Sequence, residues 1–132
     1  MRPAGSSRSS GADVAGGERI HHAVVRLELH VPAAASRKDR RAVLQKLSAA
    51  LRELGCSVAE VGGQDTWQRI VLGLAVTSST ATGMDRVLER IRPIAERDPR
   101  AVVVDLAVEV GTMHPGDGDH QWIDDAARGL AP

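Results

Sequence analysis

The chain has no phenylalanine, no tyrosine and only two tryptophans. Its core must be aliphatic, and a sheet that stacks nucleic-acid bases on several rings is disfavoured from the start. A single cysteine, Cys56, rules out an intramolecular disulfide and a cysteine zinc site. Charge of one sign is missing too: Lys plus Arg and Asp plus Glu number 17 each. Net charge therefore points to no nucleic-acid coat, and no DNA partner is expected. The opening MRPAGSSRSSGADVAGGERI lacks the apolar stretch of a secretory signal, and no apolar run is long enough for a bilayer. A cytoplasmic location without a membrane partner is the expectation.

What is present is an aliphatic chain of 132 residues with 42% hydrophobic content, enough for one domain with a modest core. Residues 1–20 are rich in Gly, Ser, Ala and Arg without periodicity and read as a disordered arm. Residues 112–132 are acidic and broken by Gly and Pro, and read as a flexible tail with a short docked turn at Trp122 and Ile123. The domain is expected over 21–111.

Within it the hydrophobic period switches between two and 3.6. Val25, Leu27, Leu29 and Val31 alternate with Val24, Arg26, Glu28 and His30, the pattern of a half-buried strand that Pro32 ends. Val43, Leu44, Leu47, Ala50, Leu51 and Leu54 then share one helical face. Ser36 with Asp39 makes a capping box before that helix, and Gly55 stops it. A short strand spans Cys56 to Val61, and a turn at GGQD leads to a strand from Trp67 to Val76. A second helix is expected from Thr82, with Asp85 completing its box. Pro93 should bend it or fray its end. In the last strand, Val102, Val104, Leu106, Val108 and Val110 are expected on one side.

The order strand, helix, strand, strand, helix, strand gives an α+β fold. It is a ferredoxin-like βαββαβ sandwich, with a four-stranded antiparallel sheet in spatial order 4-1-3-2 and two helices on one face. The other face stays uncovered. A hairpin register with Val58 opposite Ile70 would put Val61 opposite Trp67, and Ala59 opposite Arg69, on that open face. Arg26, Trp67, Arg69 and Val71 are then the expected partner or ligand surface. Small apolar residues let a second surface approach, and Trp is a common interface anchor. The plainer reading is that Trp67 plugs the hairpin end and Arg26 pairs with Asp105 or Glu109.

The hairpin SVAEVGGQDTWQRIVLGLAV resembles that of the YlxP-like proteins, a bacterial family of unknown function. LELHVPAAASRKDRRAVLQKLSAALRELG before it fits the same family, and the resemblance covers about residues 22–110. It implies a ferredoxin-like fold. Family genes often sit among translation and ribosome-maturation genes, which implies a ribosome or RNA connection. No catalytic residues are established for the family. Both terminal extensions, the Ala33–Ala35 loop and Pro93 depart from its pattern.

Several side chains invite chemistry. Arg37, Lys38, Arg40 and Arg41 open the first helix, where cations oppose the helix dipole, so an anionic partner such as RNA is one reading and a solvated face the other. Glu28 and His30 are neighbours on the open face and could act as acid and base or line a pocket shared by two subunits with Trp67 and Arg69. His22 and His30 lie about 26 Å apart on one strand and cannot share a metal. The tail residues His114, Asp117, Asp119, His120, Asp124 and Asp125 match no metal loop. Cys56 faces inward as packing rather than as a nucleophile. No cofactor and no metal are expected. The leading expectation is a small binding or accessory protein, a homodimer with a possible ribosome or RNA partner. A pocket enzyme and a structural oligomerisation module are the alternatives.

Overall fold

A computed structural model describes residues 18–116. Residues 21–111 form one compact unit, and the account below concerns that unit; of the other, only residues 18–20 and 112–116 are described. The turn at Trp122 and Ile123, and most of the expected arm and tail, lie outside the described residues.

The elements follow the expected order. They are β1 (Ile20–His30), α1 (Arg37–Leu54), β2 (Ser57–Gly62), β3 (Arg69–Ser78), α2 (Ala81–Ala95) and β4 (Val102–Met113). One sheet carries all four strands in the order β2-β3-β1-β4, with β1 and β2 both antiparallel to β3. The ring of His22 lies over Gly111 while Asp105 reaches Arg26, so β4 runs antiparallel to β1. This is the ferredoxin-like sandwich.

Alternation on β1 places Ala23, Val25, Leu27 and Leu29 in the core, where they meet Ile70, Leu72, Leu74 and Val76 of β3. Val43, Leu47 and Leu51 of α1 and Met84, Ile91 and Ile94 of α2 close the same cluster. Burying each such side chain contributes about 1.5–3 kcal/mol. Cys56 sits in this core, and burial pushes its thiol up from its ordinary value.

Helix α1 ends as its sequence dictates. The Ser36 Oγ accepts from the Asp39 N–H at 3.1 Å, and the Asp39 carboxylate accepts from the Ala35 N–H at 3.0 Å. Gly55 takes the left-handed conformation at φ 114°, and the Cys56 N–H returns to the Leu51 carbonyl at 3.0 Å.

Two expectations about the second half of the chain are corrected. The N-cap of α2 is Thr80, not Thr82: its hydroxyl accepts from the Gly83 N–H at 2.9 Å. Pro93 falls in the last turn of α2, and the helix ends two residues later at Ala95, in keeping with the early end expected of it. One lost hydrogen bond there is tolerated because the helix is about to end. The valines of β4 are not an inward row. Leu106 packs against the core and so does Val103, of opposite parity, whereas Val102, Val104, Val108 and Val110 are 45–63% exposed. On an edge strand, with a neighbour on one side only, period two alone does not secure cover.

The hairpin register also differs from the expected one. Val58 stands opposite Leu74, four residues further along β3 than Ile70, and Ala59 stands opposite Gly73 rather than Arg69. The connection is longer than a tight GGQD turn. Gly63, at φ 83°, opens a turn closed by the Thr66 N–H on the Gly63 carbonyl at 3.2 Å, and Trp67 lies before β3 begins. Between Glu60 and Gly62 the register shifts by one, leaving Val61 as a bulge residue. The face assignment survives because a shift of four preserves parity.

Candidate functional site

The uncovered sheet face is built from the outward residues of β1 and β3 with their partners on β2 and β4. The register stacks it in tiers. Val24 lies beside Ala75, Arg26 beside Gly73 and Ala59, Glu28 beside Val71 and Gly62, and His30 beside Arg69.

Across these tiers runs a row of four charges. The Arg26 guanidinium donates to Asp105 at 3.0 Å and to Glu28 at 3.0 Å, and Arg69 Nε donates to the other Glu28 oxygen at 2.8 Å. From β4 to β3 the row reads Asp105, Arg26, Glu28, Arg69, so its signs alternate and sum to zero. Hydrogen bonds from Arg69 and then Arg26 hold the Glu28 carboxyl below its usual range. A carboxylate fixed by two guanidinium groups stays ionised and is a poor general acid or base near neutral pH. Among the described residues no hydrogen bond or ion pair joins Glu28 to His30. An acid–base role for that pair would require Glu28 to exchange one of its two guanidinium partners.

Around the row lies apolar surface. Val24 and Val61 are each about half exposed, and so, at 48%, is Trp67 in the connection just before β3. Val61 lies across Gly73: a β-carbon on that glycine would stand 3.1 Å from the valine Cγ1. Gly73 thus lets the bulged valine lie flat on the sheet. Val71, expected at the surface, is 2% exposed. It stands between Glu28 and Gly62, and its Cβ is 3.3 Å from where a Gly62 β-carbon would be. Val71 is floor, not contact surface. Trp67 is not a buried plug, and Arg26 pairs with Asp105, as the plainer reading of that residue expected.

The basic opening of α1 divides. Arg37, Lys38 and Arg41 are exposed, but Arg40 is 8% exposed. Its Nε donates to the Arg69 carbonyl at 3.2 Å and its guanidinium pairs with Glu60. Arg40 is thereby taken from the cationic group and ties α1 to the hairpin. The helical period carried the signal, since Arg40, Val43, Leu47 and Leu51 lie on one face.

Among the described residues no group of three or more His, Cys, Asp and Glu side chains could hold a metal. His120 and the acidic tail residues from Asp117 onward lie outside the described residues. No described helix is long and apolar enough to cross a membrane.

The comparisons with known proteins fit this picture. The family model described as "Protein of unknown function (DUF503)" matches residues 23–108. The uncharacterized protein YlxP of Bacillus subtilis (strain 168) is 36% identical over 67 residues, covering 50% of this chain and 73% of that relative. Among solved structures, the structural-genomics protein YJCS matches at a TM-score of 0.45 with 10% identity, over 68% of this chain and 96% of its own. A dimeric ferredoxin-like protein from an uncultured marine organism matches at a TM-score of 0.42 with 11% identity, over 74% and 90%.

Proposed function

The chain belongs to the DUF503 family of proteins of unknown function, and we propose that it works by binding, as a homodimer joined through the uncovered sheet face. One observation carries this reading. The face combines half-exposed Val24 and Val61 with a charge row that sums to zero, and the half-exposed Trp67 two residues before Arg69 would extend its apolar part. Such a surface offers apolar area to a partner without demanding one of opposite net charge, which suits a second copy of itself. Four strands ~4.8 Å apart and about ten residues long present roughly 500 Å² in plan. Specific interfaces begin at about 600 Å² of accessible surface per partner, which a pleated face of that plan area approaches once its side chains are counted. A reducing cytoplasm, where Cys56 stays a buried thiol, is the compartment that goes with this reading.

An RNA or ribosome partner, expected from Arg37, Lys38, Arg40 and Arg41, gains nothing from the geometry. Arg40 is occupied by Glu60, and the open face carries no platform of rings. The pocket reading would need Glu28 to leave one of the two guanidinium groups that occupy its oxygens.

Sedimentation velocity of the full chain across a concentration series tests the proposal. A dimer that Val61→Glu or Trp67→Glu converts to folded monomer is the expected result. A wild-type monomer at every concentration, or a dimer indifferent to both changes, would overturn it.

A further inference from the structure

The row Asp105, Arg26, Glu28, Arg69 has a property beyond neutrality. Read from β4 to β3 its signs are minus, plus, minus, plus; read backwards they are plus, minus, plus, minus. A row of this kind is the complement of its own reversal. Resting on the dimer reading above, we infer that two copies stack their open faces about a two-fold axis that crosses the row at right angles, between Arg26 and Glu28. That rotation reverses the row as it turns the face over. Arg69 of one copy then faces Asp105 of the other, and Arg26 faces Glu28, at all four positions at once. The alternative axis, lying along the row, would set each charge against itself and is excluded by repulsion. The charges thus choose the orientation of the dimer, while Trp67, Val61 and Val24 supply its apolar contact.

The ends of the row matter most for specificity. Arg26 and Glu28 bind each other within one chain as well, whereas Asp105 and Arg69 each have one hydrogen-bonded partner in the row, and the Asp65 carboxylate also acts on Arg69. Both end side chains are about half exposed in the single copy, Arg69 at 45% and Asp105 at 53%. They are available to a second chain without breaking any core contact.

The experiment is a charge exchange between two full-length variants, Arg69→Glu and Asp105→Arg, one of them carrying a mass tag. Circular dichroism establishes that each is folded. Each variant alone sets like charges together at both ends of a symmetric dimer and should dimerise about tenfold or more weakly than wild type. Mixed, the two variants restore opposite charges at both ends, and native mass spectrometry should show the heterodimer in large excess over the two homodimers combined. A wild-type dimer whose affinity neither variant changes would overturn the pairing while leaving the dimer reading in place. Weakened variants that fail to combine would also overturn the pairing. A wild-type monomer would remove the dimer reading itself.

Discussion

Arg40 of α1 and Glu60 of β2 form an ion pair between the first helix and the edge strand of the sheet, with the Arg40 side chain 10% exposed. Because Arg40 also donates to the Arg69 carbonyl, one side chain holds both arms of the hairpin against the helix. Removing it leaves a half-buried carboxylate and a carbonyl without their donor. Arg40→Ala should lower stability by about 2–3 kcal/mol in urea unfolding. In a double-mutant cycle with Glu60→Gln, the coupling should exceed about 1 kcal/mol. Additive losses would show that the pair is a surface contact of little weight.

Gly63 and Gly55 are both left-handed, at φ 83° and φ 114°, yet they should respond differently to alanine. A β-carbon on Gly63 would stand 2.5 Å from the Arg69 carbonyl oxygen, whereas one on Gly55 would meet nothing within 4 Å. Gly55→Ala should cost about 1 kcal/mol, the backbone penalty alone. Gly63→Ala adds a collision with backbone and should cost about 2–4 kcal/mol. Thermal melts of the two variants check the ranking, and equal losses would mean that the hairpin turn relaxes freely.

Asp98 provides a pH signature. The Arg100 side chain and N–H bind its carboxylate at 2.7–3.0 Å and push it down to about 2. A carboxyl depressed in the folded state stabilises fully above its unfolded value of ~3.9. That contribution fades as pH falls from about 4 to about 2. Arg100 is half in water, so the pair should contribute about 1 kcal/mol. Asp98→Asn should lose this amount at pH 7 and show a flatter stability profile between pH 4 and 2. An unchanged profile would remove Asp98 from the acid response.

Which parts of this molecule could be read without coordinates follows from how local their causes are. The faces of β1 and β3 and the caps of α1 rest on period and on residues three or four apart, so the sequence displays them directly. The hairpin register depends on how many residues Gly63 and Val61 consume between the strands, and composition alone set it four residues short. Val71 has the parity of an exposed residue but is covered by its lateral neighbours, which only the strand order and register bring to it. Arg40 was legible in principle, being in phase with Val43 and Leu47, but its charge drew attention to the solvent side. The Arg26–Asp105 pair joins residues nearly eighty positions apart, yet it follows from a strand order that sets β4 beside β1, whereas the Glu28–Arg69 link depends on the register.

The strand order β2-β3-β1-β4 places the first strand in the interior of the sheet. On a ribosome, β1 emerges early with both edges bare. It gains β3 only after a helix and a further strand have been made, and β4 some seventy residues after its own end. At ~5–20 residues per second that interval is roughly 4–14 s. Through it, one side of an aliphatic strand has no hydrogen-bonding partner from its own chain. That bare edge is where a nascent copy can pair with another chain before β4 arrives to cover it.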